Sequence, residues 1–112
     1  MAKAINPFVI TIEDKTYTLE FNRNSVVAAE RMGLDIENIK SAPMSTVPLL
    51  FFAAFKMHHP EMSRKDTDYI LFDVLNGLKE PEVKRLIELY AEPTNTLINS
   101  EETERKNVTI SL

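Results

Sequence analysis

The stretch Leu49–Phe55 consists of seven consecutive apolar residues, LLFFAAF, three of them phenylalanine. Few folds of 112 residues can accommodate such a segment. The apolar run from Val47 ends at Lys56, about half the roughly 20 residues needed to cross a bilayer. Pro48 near its start and Pro60 beyond its end delimit a helix, with Ser45 or Thr46 as its cap. On a helical wheel Leu49 and Ala53 share one side, and Leu50, Ala54 and Met57 another. Phe51 and Phe55 form a third side, with Phe52 between it and Leu49. A helix apolar all round belongs in the centre of a fold or against a partner. Two readings therefore stand side by side. Either the other elements wrap this helix completely, or one side of it, that of Phe51 and Phe55, meets another protein.

The flanking sequence says what could wrap it. Phe8, Ile10 and Ile12 alternate with Val9 and Thr11, and Tyr17, Leu19 and Phe21 alternate with Thr18 and Glu20. This predicts strands over 8–12 and 17–21, joined by a turn over Glu13–Thr16 in which Asp14 tolerates left-handed backbone. Asn22 or Asn24 caps a helix running to about Met32, which Gly33 ends. Asp35 caps a short turn through Ile36 and Ile39, and Lys40–Met44 reads as a connecting loop. Ser63 and Asp66 form a near capping box for a helix ending at Asn76 and Gly77. Its core face is Thr67, Ile70, Leu71, Val74, Leu75 and Leu78, which leaves Tyr69 and Phe72 outside. Pro81 opens a last helix in which Val83, Leu86, Ile87, Tyr90, Thr94, Leu97 and Ile98 keep helical spacing across Pro93, as in one kinked helix. A polar segment, Asn99–Asn107, precedes Val108–Leu112, which alternates like a strand and either joins the hairpin's edge or stays free. The expected fold is α+β and mainly α: an N-terminal hairpin on a bundle of about four helices, in one domain spanning 1–112 with a polar tail over 99–112.

Charge and composition narrow the function. The net charge is −4, with 13 basic and 17 acidic residues, and no basic run stands out. Such a chain gains little from displacing counterions on nucleic acid. A helix-turn-helix around Pro60 would place an acidic helix against DNA, which counts against a DNA-binding regulator. There are no cysteines, so disulfides, thiolate metal sites and cysteine nucleophiles are excluded. The start of the chain lacks the apolar core of a signal peptide, and a cytoplasmic protein is expected.

Catalytic patterns are weak. His58 and His59 are adjacent and diverge by about 100° on a helix, whereas paired ligands on one face are three or four residues apart. They read as the C-terminal end of the apolar helix. Asp66 and Asp68 suit the first turn of a helix, and Glu101, Glu102 and Glu104 lie in the polar tail. The two glycines, Gly33 and Gly77, read as helix stops and not as a phosphate loop. No enzyme, metal or cofactor is expected.

The apolar surplus therefore points to protein partners. Tyr69 and Phe72, displaced from their helix's core face, extend the side of Phe51 and Phe55 into one candidate patch. These four residues are the predicted partner contacts, and the same surplus could drive self-association into a homo-oligomer.

Several stretches together carry a resemblance. The hairpin Val9–Phe21 leads into "NSVVAAERMG" (Asn24–Gly33). The middle helix ends in "HPEMS" (His59–Ser63), before an acidic amphipathic helix. "IELYAEPTNTLI" (Ile87–Ile98) precedes a polar tail ending in "KNVTISL" (Lys106–Leu112). In this order of elements the chain resembles the small tail assembly chaperones of long-tailed phages and prophages of Gram-positive bacteria. The resemblance implies a protein that binds the tape-measure protein, keeps its apolar helices soluble and helps recruit tail-tube subunits. It would act in the cytoplasm of the bacterial host and be absent from the mature virion. A longer frameshifted product is common in that family. The alternative is a structural tail or connector protein built into the particle.

Overall fold

The computed structural model describes residues 6–95 and 107–112. Its elements are strands β1 (Phe8–Ile12) and β2 (Lys15–Leu19), followed by helices α1 (Arg23–Arg31), α2 (Pro43–Phe55), α3 (Arg64–Asp68) and α4 (Glu80–Asn95). A 3-10 turn over Ile36–Ile39 precedes α2, and α3 runs directly into a π-helical turn over Tyr69–Val74. The fold is α+β and mainly α, with the hairpin at its N-terminal end.

β1 and β2 pair antiparallel, with Ile10 opposite Tyr17 and Ile12 opposite Lys15. The connection is two residues, so β2 starts and ends two residues earlier than predicted. The left-handed residue is Glu13 (φ 56°), not Asp14. A two-residue loop makes Ile12 and Lys15 a mutually hydrogen-bonded pair. By alternation, the amides of Thr18 and Glu20 then point out of the hairpin on the far side of β2. Both meet partners near the end of α2. Glu20 donates its N–H to the Ala54 carbonyl at 3.1 Å, which satisfies one of the acceptors a helix end leaves open. Thr18 donates its N–H to His59 Nε2 at 3.0 Å.

α2 is the axis of the molecule. It touches β2, the 3-10 turn, α1, α3 and α4. Leu50, Phe51, Ala53, Ala54 and Phe55 have no exposed surface at all. Phe51 and Phe55 meet edge-on at 5.1 Å, and Tyr17 of the hairpin tilts against Phe55 at 5.8 Å. Of the two readings of the apolar helix, wrapping is the one observed for the side of Phe51 and Phe55. Phe51 and Phe55 are core residues, and Tyr17 of the hairpin lies against Phe55 on the side expected to meet a partner. Leu49 is half-buried, and Phe52 lies near the surface, where Lys56 Nζ is 4.6 Å from its ring centre, a cation–π contact.

The start of α2 also differs from expectation. Ala42 precedes its first residue and offers no side-chain cap. Pro43 takes the first helical position, where a missing N–H costs nothing, so the helix begins inside the predicted loop. Ser45 and Thr46 turn their hydroxyls back to the carbonyls of Ala42 and Asn38. Pro48 consequently lies inside the helix instead of in its first turn.

Other local signals act as their chemistry requires. Asn22 and Ser25 form a reciprocal capping box on α1. Asp35 accepts the Glu37 N–H at the 3-10 turn. Gly33 and Gly77 have φ of 94° and 92°, in the left-handed region that favours glycine. α4 continues through Pro93 as far as Asn95. It buries Leu86 and also Leu89, which lay outside the predicted periodic set. Tyr90 stands edge-on to Phe21 at 5.2 Å. Burial first, then the carboxylates of Glu30 and Asp35, raises its phenol above the ordinary value. Leu97, Ile98 and the glutamates Glu101, Glu102 and Glu104 fall outside the described residues. Among the described residues the sheet has two strands. Residues 107–112 form no strand, and Val108, Ile110 and Leu112 are exposed.

Candidate protein-binding site

Ser63 and Asp66 begin the element that displays the predicted aromatics. Asp66 accepts the Ser63 N–H at 2.9 Å, and Ser63 Oγ accepts the Asp66 N–H at 3.1 Å. These contacts, the backbone N–H of Ser63 first and its hydroxyl second, hold the Asp66 carboxyl below its ordinary value. Asp68 pairs with Arg64 at 3.1 Å. Both carboxylates are thus engaged in building the helix start.

Beyond Asp68 the winding widens. Leu75 donates its N–H to Ile70 O, and Gly77 to Leu71 O, each at 2.8 Å. The first spans five residues, as in a π-helix, a form frequent at functional sites. A wider turn advances the inward position. One turn after Ile70 the half-buried residue is Leu75, whereas Val74, predicted in the core face, is exposed. Thr67, Ile70 and Leu71 are buried as predicted, and Tyr69 and Phe72 are 60% and 45% exposed.

The left-handed pair Asn76 (φ 55°) and Gly77 then folds the chain back toward the start of α2. The result is a cleft of about 190 Å³ lined by Pro43, Met44, Val47, Pro48, Leu71, Phe72, Gly77 and Leu78. Every lining residue is apolar or glycine. Met44 stands on its rim, 79% exposed. Of the four predicted contacts, the structure therefore brings Phe72 to an apolar surface cleft and leaves Tyr69 exposed three residues before it. Phe51 and Phe55 have no surface to offer. Sequence reasoning missed Met44, because Lys40–Met44 looked like a loop, and placed Val47 in the apolar run without making it a contact. The signal available was Pro43 as a helix-starting residue.

A second apolar cleft, of about 280 Å³, lies between α1 and α4 and is lined by Arg23, Val26, Val27, Glu30, Pro93 and Thr94.

The histidines are used structurally. His59 Nε2 accepts the Thr18 amide, which places the proton of a neutral ring on Nδ1. Its ring meets Tyr17 edge-on at 5.4 Å. His58 Nε2 lies 2.7 Å from Glu20 Oε1. Sequence reasoning put both histidines at a helix end but gave them no partner in the hairpin. Among the described residues no group of His, Asp and Glu could hold a metal ion. No helix among them is long and apolar enough to cross a membrane.

The family model described as a domain of unknown function, DUF5055, matches residues 1–112. The chain belongs to the DUF5055 family. Every residue lining the Phe72 cleft of this DUF5055 chain lies within the matched span. Comparison with curated proteins and with solved structures gave no match.

Proposed function

We propose that this DUF5055 chain is a tail assembly chaperone of long-tailed phages or prophages, and that it holds an apolar helix of the tape-measure protein at the Phe72 cleft. The observation carrying this reading is the cleft between the start of α2 and the π-helical turn, with Met44, Tyr69 and Phe72 exposed in or beside it. Its volume of about 190 Å³ is below the roughly 300–1,000 Å³ of small-molecule sites. It suits one or two anchoring side chains of an amphipathic helix, the helix-in-groove mode of recognition. The net charge of −4 would help keep such a complex in solution. The resemblance of the chain's order of elements to that of tail assembly chaperones is what suggests the tape-measure protein as partner, and tail-tube subunits are the second partner that resemblance implies. The site of action is the cytoplasm of the infected or lysogenic bacterium.

Co-expression with the tape-measure protein encoded beside it tests the reading. The tape-measure protein is expected in the soluble fraction with the wild-type chain and in the pellet with Phe72→Asp, at unchanged circular dichroism. Equal partition with and without the chain would refute it. Mass spectrometry of purified particles separates a chaperone, expected to be absent, from a structural tail or connector subunit.

A further inference from the structure

The two edges of the hairpin are treated differently. On β2 the outward amides of Thr18 and Glu20 are taken by His59 and by the Ala54 carbonyl. On β1 the residues opposite Thr18 and Thr16 are Val9 and Thr11, so the backbone groups of Val9 and Thr11 point outward. They meet no hydrogen-bond partner among the described residues, and both residues are exposed. An open edge of this kind is a template for another strand.

A groove runs beside that edge. Pro7, Phe8, Val9, Ile10, Leu75, Pro81, Glu82 and Arg85 line a cleft of about 420 Å³. Its apolar lining comes from β1, Leu75 and Pro81. A strand added along β1 would project alternate side chains toward this cleft and the rest toward solvent.

The chain itself carries a segment with that pattern. Val108, Ile110 and Leu112 alternate with Thr109 and Ser111, the same arrangement as Phe8, Ile10 and Ile12 around Val9 and Thr11. Residues 108–112 are exposed, form no strand and make no hydrogen bond with another described residue. Val108 and Ile110 are 56% and 60% exposed. A β-branched, alternating segment without a sheet and a sheet edge without a strand stand in one chain and do not meet there. We infer that residues 108–112 of a second copy of this chain add to the open edge of β1, with Val108, Ile110 and Leu112 directed toward the Phe8–Leu75–Pro81 cleft. This is β-strand addition, in which main-chain bonds supply affinity and alternate side chains supply specificity. The inference is independent of what the Phe72 cleft binds.

The chain has no cysteine, which makes a direct test simple. Thr11→Cys in one preparation and Ser111→Cys or Thr109→Cys in another place thiols on the solvent side of the joined strands. After mixing and mild oxidation, a disulfide-linked species of doubled mass is expected, together with a doubled molar mass of the wild-type chain by light scattering. Ile110→Asp, which lies outside the core, should return the chain to monomer mass with unchanged circular dichroism. A wild-type chain that stays monomeric at high concentration would overturn the inference. So would a dimer that survives both Ile110→Asp and removal of residues 107–112, or a Thr11→Cys/Ser111→Cys double variant that links only within one chain.

Discussion

Thr18 gives its outward amide to the His59 imidazole, one of the contacts that tie the hairpin to the turn beyond α2. Replacing His59 with alanine leaves a half-buried N–H without its acceptor. The expected loss of stability is about 1–3 kcal/mol by urea denaturation. His58→Ala breaks an exposed pair with Glu20 and should cost less than about 1 kcal/mol. The four predicted contact residues divide in the same manner. Phe55→Ala empties a fully enclosed site and should cost about 3–5 kcal/mol. Phe72→Asp, at a half-exposed ring, should cost about 1 kcal/mol or less. The wheel could say that Phe51 and Phe55 share a side, but not which neighbour covers it. Tyr17 of the hairpin supplies part of that cover, on Phe55, brought in by a chain reversal that helical periodicity does not encode.

At the scale of elements, the caps were legible because each is a local bargain between a side chain and an amide. Asn22, Asp35 and the Ser63–Asp66 pair act where their residue types suggested. The Asp66 carboxyl is held below its ordinary value in the folded chain, so its contribution is present above the ordinary carboxylate value of 3.8 and is lost as pH falls through the depressed one. Acid titration followed by circular dichroism should therefore show a flatter profile for Asp66→Asn than for the wild type over that window. The π-helical turn was not legible, because apolar spacing read at 3.6 residues per turn places both Val74 and Leu75 inward. The wider winding keeps Leu75 against the core and turns Val74 out. Val74→Asp should then change stability by no more than about 0.5 kcal/mol, whereas Leu75→Asp, which sets a carboxylate against the core, should cost several times as much. Equal costs would mean that the turn is an ordinary α-helix in solution. The start of α2 was missed for a different reason. Ser45 and Thr46 look like caps, yet the helix starts at Pro43, whose fixed φ and missing N–H suit the first position.

Across the whole molecule, one apolar helix organises everything else. α2 is enclosed along its C-terminal half by the hairpin and by α1, α3 and α4. The apolar stretch that suggested a partner is consumed by the core. The surplus moves to the start of the helix, where Met44 and Val47 line a cleft with Phe72 of the π-helical turn. The proposed partner surface is thus built from the end of one predicted element and the displaced aromatic of another. Neither segment reads as a site by itself, and only the left-handed turn at Asn76 and Gly77 brings them together. Gly77→Ala, strained at φ 92°, is expected to destabilise by about 1 kcal/mol and to weaken partner binding through loss of this closure. Calorimetry with a tape-measure fragment would show both. The most direct test of the Phe72 cleft as the partner site is amide hydrogen exchange of the chain with and without that fragment. Slowed exchange centred on residues 43–48 and 69–78, lost in Phe72→Asp, is the expected result. Slowing confined to the α1–α4 cleft or to the hairpin, or unchanged in Phe72→Asp, would contradict it.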